Sequence, residues 1–162
     1  MWKLTNFISS LLLVLIASLF QSSAASRRQL VGGYGPISDL SDPMVANAAK
    51  FAILELFAIE NDDMPYEFMS SLQGDQQAFV PRVVRGSEQV VAGLNLKLTL
   101  MVLEVVEPVS GESLCRGAME VQIYLALDQS MEVTEWGDEF TCDQAQVLLE
   151  DRLMDEENNE GN

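Results

Sequence analysis

The fold of this chain is decided by residues 94–102, which read Leu-Asn-Leu-Lys-Leu-Thr-Leu-Met-Val. Apolar and polar side chains alternate along this stretch, and a period of two is typical of a strand with one buried face. A similar alternation follows over residues 119–127, valines are frequent over 79–92, and a weaker strand pattern spans 131–141. Because only short segments join these strands, the sequence predicts antiparallel hairpins rather than crossover connections.

One long helical pattern precedes the strands. Asp42 is a suitable N-cap, and Pro43 suits the first turn because its missing N–H costs nothing there. From this point to about Glu60, apolar side chains recur at helical spacing, at Val45, Ala48, Ala49, Ala52, Leu56 and Ile59. The sequence therefore predicts an α+β fold, with one long helix packed on a four- to five-stranded antiparallel sheet.

Both ends of the chain differ in composition from the part between them. Residues 1–25 combine a positive start, an apolar stretch and small residues, which predicts a secretory signal peptide. A membrane anchor is the alternative, but the stretch is shorter than the roughly 20 apolar residues of a spanning helix. Residues 26–142 are predicted to form the domain. Residues 143–162 are strongly acidic and are predicted to be a largely disordered tail, with a short helix over 147–154.

The charge and composition of the chain exclude several functions. Lys and Arg number 9 against 25 Asp and Glu, a formal net charge of −16, so phosphate backbones and anionic membranes would repel the chain. Histidine is absent, which removes the commonest general base and a usual zinc ligand, and no metal or cofactor is expected. Carboxylate pairs, such as Glu55 with Glu60 or Asp62 with Asp63, leave an enzyme as an alternative, although such side chains are most often surface charge. A binding protein is favoured.

The chain contains two cysteines, Cys115 and Cys142. In the oxidising compartment that a signal peptide implies, a lone pair is most simply one disulfide. Closing the loop between them would stabilise the fold by about 3–4 kcal/mol in the chain-entropy account. Two buried free thiols are the alternative.

Three short segments are candidates for contact with a partner. Gly32 and Gly33 permit close approach to another backbone, although a glycine pair near a terminus is also a flexible spacer. The second candidate is the run Gln89, Val90, Val91, Ala92 and Gly93. It would place valines at a hairpin tip facing water, unless it is a continuous strand with a glycine kink. Trp136 is either an exposed anchor or part of the core.

Taken together, these segments resemble the cystatin family. The glycine pair, the helix segment 50–55 and the run 89–93 agree with the family in order and spacing, and 89–93 matches its Gln-x-Val-x-Gly motif at every fixed position. Residues 50–55 look like the Ala-Arg-Phe-Ala-Val stretch of plant-type members. The secretion signal and the late cysteine pair resemble secreted animal-type members, whose earlier disulfide two cysteines cannot supply. The resemblance covers about residues 30–142.

The resemblance implies a secreted, monomeric, reversible inhibitor of papain-like cysteine proteases. In that family a glycine trunk and two hairpins form a wedge that enters the protease cleft, and here Gly32–Gly33 and residues 89–93 match the first two parts. The family's Pro-Trp of the second hairpin is absent. Either the second tip lies around Leu127–Ser130, or Glu135 and Trp136 form it. A non-inhibitory secreted cystatin-like binding module is the alternative function.

One further position follows from the resemblance. Asn61 lies ten residues beyond Phe51, where some secreted cystatins present Ser-Asn-Asp to asparaginyl endopeptidases of the legumain type. The resemblance therefore implies a legumain contact at Asn61. The alternative is that Asn61 and Asp62 only end the helix.

Overall fold

The computed structural model describes residues 32–59, 65–72, 78–107 and 109–160. In this part of the chain, strands β1 to β5 form one antiparallel sheet in sequential order. The strands are β1 (Gly35–Pro36), β2 (Phe79–Val91), β3 (Gly93–Glu107), β4 (Glu112–Leu125) and β5 (Met131–Phe140). The helices are α1 (Pro43–Ala58), a short 3₁₀ helix (Glu67–Ser71) and α2 (Cys142–Glu160). The predicted α+β class, a long helix on an antiparallel sheet, is confirmed. The predicted signal peptide over 1–25 and the predicted contact at Asn61 lie outside the described residues.

Helix α1 begins as its sequence predicts. The Asp42 Oδ1 atom accepts a hydrogen bond from the Met44 backbone N–H at 2.7 Å, which satisfies one of the free donors of the first turn. Pro43 occupies the first turn itself. The helix ends at Ala58, and Ile59 is already extended. Three of its six buried residues are alanines, which lets the helix pack closely on the sheet.

The main core lies between α1 and one face of the sheet. Leu96, Leu98 and Leu100 of β3 are fully buried there, together with Met119, Val121 and Ile123 of β4. Removing a leucine or isoleucine side chain of this kind from water contributes about 1.5–3 kcal/mol. Burial of one face of β3 under α1 therefore explains the alternating pattern of residues 94–102.

The strand pair β2–β3 turns sharply at Ala92. Val91 is paired with Gly93, and the pairing continues in register towards Phe79 and Glu104 with one irregularity between Val83 and Arg85. Residues 89–93 are therefore a hairpin tip, and the continuous kinked strand is not what the structure contains.

The second face of the sheet is covered by α2. Ala145 and Leu149 are buried against Val84, Met101 and Ala118, on the strand faces that point away from α1. A disulfide joins Cys115 of β4 to Cys142, the first residue of α2. No helix in the described ranges is long and apolar enough to cross a membrane.

The expectation of a largely disordered tail differs from this structure, which has a helix from Cys142 to Glu160. Two features account for the helix. Thr141 and Gln144 form a reciprocal cap, in which the Gln144 N–H donates to Thr141 Oγ1 at 3.3 Å and the Thr141 N–H donates to Gln144 Oε1 at 2.8 Å. Leu149 also packs on the apolar second face of the sheet. This packing stabilises the helix more than its acidic composition destabilises it.

We predict that Leu149→Ala lowers the free energy of unfolding by about 2–4 kcal/mol, because it removes a buried side chain from beneath α2. Leu153→Ala makes the same chemical change on the same helix, but Leu153 is 45% exposed, and a shift below about 0.5 kcal/mol is expected. Urea denaturation followed by circular dichroism measures both. Equal effects of the two variants would contradict the packing of α2 on the sheet.

Candidate functional site

The β2–β3 hairpin tip is held by contacts with the neighbouring strand β4. The Tyr124 hydroxyl of β4 donates a hydrogen bond to the Ala92 carbonyl at 2.7 Å. Gly93 has a φ of +149°, and a Cβ atom there would lie 2.6 Å from the Leu125 carbonyl oxygen. Glycine is therefore required at 93 by both its backbone angle and its surroundings. Val90 and Val91 point outward instead, with 51% and 45% of their surfaces exposed.

The glycine segment lies beside this hairpin tip. The side-chain amide of Gln89 donates to the Gly32 carbonyl at 3.1 Å and accepts from Asn95 Nδ2 at 3.0 Å. β1 continues the contact by pairing Gly35 with Glu88. Gln89 therefore connects the N-terminal segment to the tip of β2–β3, and a backbone segment free of side chains runs next to the two valines.

Tyr34 fixes the segment from its other end. Its hydroxyl donates to the Gln122 Oε1 atom of β4 at 3.1 Å. A Cβ atom at Gly32 or Gly33 would have no other heavy atom within 4 Å. The two glycines consequently present bare backbone to solvent next to the anchored Tyr34.

The second hairpin tip, between β4 and β5, comprises residues 126–130. The Ala126 N–H donates to the Ser130 carbonyl at 2.9 Å, and the Asp128 carboxylate accepts from the backbone N–H and the hydroxyl of Ser130. These hydrogen bonds, the side-chain one first, lower the pKa of Asp128. Leu127 is 85% exposed at this tip. It lies at the same end of the sheet as the first tip, because Leu94 pairs with Leu125.

Trp136 is not at a hairpin tip. It is opposite Val121 in the middle of β5, packs against the main core, and meets the Tyr66 ring edge-on with centroids 6.1 Å apart. Tyr66 itself donates to the Glu120 carbonyl at 2.8 Å, and burial is the main cause that raises its pKa. The arrangement in which Glu135 and Trp136 form the tip therefore differs from this structure, since both residues are within the ladder.

Three plant proteins are similar to this chain. Cysteine proteinase inhibitor 5 of Arabidopsis thaliana is 33% identical over 92 residues, 57% of this chain and 62% of that protein. Cysteine proteinase inhibitor 1 of Actinidia chinensis var. chinensis is 34% identical over 74 residues, 46% of this chain and 52% of that protein. Cysteine proteinase inhibitor 8 of Oryza sativa subsp. japonica is 28% identical over 96 residues, 54% of this chain and 67% of that protein. These relatives and the fold agree with the resemblance to the cystatin family.

All three relatives are named as inhibitors rather than as enzymes. The chain spans about half to two thirds of the length of these relatives. No family model matches it. Within the described ranges there is also no group of three or more Asp, Glu, His or Cys side chains that could hold a metal ion.

Sequence reasoning did not identify every residue of this edge of the sheet. The roles of Tyr124 and Asn95 depend on hydrogen bonds between strands, which no local pattern reveals. The sequence predicts Leu127 only as one residue of the second turn and does not single it out as an exposed apolar side chain. An apolar residue in the turn sequence Ala-Leu-Asp-Gln-Ser is the signal that could have identified it, because turn residues are usually polar.

We predict that Gly93→Ala lowers the free energy of unfolding by about 3 kcal/mol, because the new methyl group would meet the Leu125 carbonyl at an unfavourable φ. Gly111→Ala is the matched control. Gly111 also has a positive φ, +73°, in a hairpin turn, but nothing lies within 4 Å of its Cβ position, so a loss of about 1 kcal/mol is expected. Urea denaturation compares them, and an equal loss would show that the tip is not crowded.

Proposed function

We propose that this chain is a cystatin and a secreted, reversible inhibitor of papain-like cysteine proteases. Its binding edge would comprise Gly32–Gly33, residues 89–93 and the 126–130 tip. The observation that carries the proposal is the hydrogen bond from Gln89 to the Gly32 carbonyl, because it holds the glycine segment beside the first hairpin tip.

The chemistry of the edge suits occlusion of a cleft. Neither the glycine pair nor the run 89–93 contains a charged residue, and the 126–130 tip contains one, Asp128, so little charge must be desolvated on docking. The tip backbone is already held by Tyr124 and Gly93, and a preformed edge loses little conformational entropy when it binds. The edge would fill the protease cleft with backbone and small aliphatic side chains without offering a peptide bond for cleavage.

We predict that Val91→Asp raises the inhibition constant for papain about a hundredfold, equivalent to about 2.7 kcal/mol, because a carboxylate would have to be desolvated in the cleft. The matched control is Val109→Asp. Val109 is 97% exposed in the β3–β4 turn, at the other end of a strand of 15 residues. That length is about 45–50 Å, so this variant should inhibit like the parent.

A bulky residue at Gly33 tests the same edge without touching the fold. A Cβ atom at Gly33 would meet no neighbouring atom within 4 Å, so a Trp side chain there can point into solvent and the thermal midpoint of Gly33→Trp should not change, while papain inhibition should fall about as much as in Val91→Asp. Unchanged inhibition by both Gly33→Trp and Val91→Asp would overturn the assignment of the edge.

A non-inhibitory binding module is the second candidate function. The observation that favours it is the second hairpin tip, where Leu127 is the one large apolar side chain and Trp136 is held within β5. This candidate requires that the folded parent protein leave papain fully active at equimolar concentration. Stoichiometric, reversible loss of papain activity supports the inhibitor instead.

Secretion is supported by the composition of residues 1–25 and by the disulfide between Cys115 and Cys142. When the full chain is expressed in a eukaryotic cell, the medium should contain a shortened protein that begins near Ser26. Mass spectrometry of the intact secreted protein measures this. Retention of residues 1–25 on an intracellular product would contradict secretion. The contact of Asn61 with a legumain-type protease stays a prediction.

A further inference from the structure

The strand that follows the glycine segment is short. β1 consists of Gly35 and Pro36, and Pro36 has no backbone N–H to donate. Gly32 and Gly33 precede it, and glycine backbones adopt more conformations than those of other residues. The glycine segment therefore needs contacts beyond this strand if it is to keep one position beside the first hairpin tip.

Tyr34, which lies between the glycines and β1, supplies a contact on the far side of the sheet. The strands are ordered from β1 to β5, and the Tyr34 hydroxyl donates to Gln122 of β4. Gln122 lies between Val121 and Ile123, which are buried beneath α1, so its side chain is on the opposite face of the sheet. The side chain of Tyr34 consequently crosses β2 and β3 on that face.

The Gln122 amide has a second partner. Its Nε2 atom donates to the carboxylate of Glu135, the residue opposite it on β5. A carboxylate oxygen accepts hydrogen bonds, so Glu135 holds the NH2 group of the amide and turns the amide oxygen towards Tyr34. Tyr34, Gln122 and Glu135 thus form one chain of hydrogen bonds, and the members of such a chain strengthen one another.

A fixed cation lies beside this chain of hydrogen bonds. Lys97 is opposite Gln122 on β3 and forms an ion pair with Glu120 at 2.7 Å. The hydrogen bond with Glu120 is the main cause that raises the pKa of Lys97, and the charges of Glu135 and Tyr34 add to it. Lys97 is therefore a positive charge close to Glu135, and it favours the carboxylate position that holds Gln122.

We propose that Glu135 is a positioning residue for protease inhibition, which acts through Gln122 and Tyr34 to hold the glycine segment in place. This inference rests on the proposed inhibitory function. Glu135 is within the β4–β5 ladder rather than at a hairpin tip, so its effect on the protease is indirect. A segment that is already held loses less conformational entropy on docking, and a loosened segment binds more weakly.

The first measurement uses the free, isotope-labelled protein and needs no protease. By NMR relaxation, the backbone order parameters of Gly33 and Tyr34 should fall from about 0.8 in the parent to below about 0.6 in Tyr34→Phe and in Glu135→Ala. Glu132→Ala is the matched control, since it removes the same charge from the same strand nearer to the second tip. Glu132 is opposite Tyr124 rather than Gln122, so both order parameters should stay at the parent values.

The second measurement is the inhibition constant for papain. It should rise about fivefold in Tyr34→Phe and about threefold in Glu135→Ala, and the double variant should lose no more than Tyr34→Phe alone, because both changes break one chain. Glu135→Gln keeps an acceptor oxygen and should inhibit like the parent. Tyr66→Phe removes a hydroxyl that donates to the Glu120 carbonyl in the core, so it should lower the thermal midpoint without changing inhibition.

Three results would overturn the proposal: unchanged order parameters in Glu135→Ala, additive losses of inhibition in the double variant, or equal effects of Glu132→Ala and Glu135→Ala. A parent protein that leaves papain active would overturn the proposed function instead. The order parameters would still test whether Glu135 holds the glycine segment, so the two failures can be told apart.

Discussion

Leu96, Leu98 and Leu100 of β3 are fully buried beneath α1, and the remaining elements are arranged around that contact. Because β3 is the central strand, its neighbours β2 and β4 take their register directly from it. A shift of one residue would turn every leucine to the opposite face of the sheet. The register that buries the leucines therefore also sets which residues reach the hairpin tips.

The two hairpin tips lie at the same end of the sheet because of this register. Leu94 pairs with both Val90 and Leu125, so the first residues of β3 bring the ends of β2 and β4 to one edge. Tyr124 then reaches Ala92, and Gln89 reaches Gly32. The edge is thus a product of strand pairing, stabilised by single side-chain hydrogen bonds.

Much of the fold and part of the binding edge could be predicted from local sequence patterns. The alternation in β3, the Asp42 cap and the position of the 89–93 tip all depend on neighbouring residues. The hydrogen bonds of Gln89 and Tyr124 join residues 57 and 32 positions apart, and they depend on hairpin lengths that composition does not define. The sequence predicts helix α2 only over 147–154 because Ala145 and Leu149 are the fully buried residues of a strongly acidic stretch, although Thr141 and Gln144 form a cap that the sequence could have indicated.

The inward anchoring of the first tip has an evolutionary consequence. Tyr124 and Gly93 maintain the bend, while Val90 and Val91 are about half exposed and belong to neither core cluster. Selection can therefore exchange the outward side chains to follow a changing target at almost no cost in stability, provided that the pair beneath them is retained. The scaffold and the recognition surface can diversify at different rates.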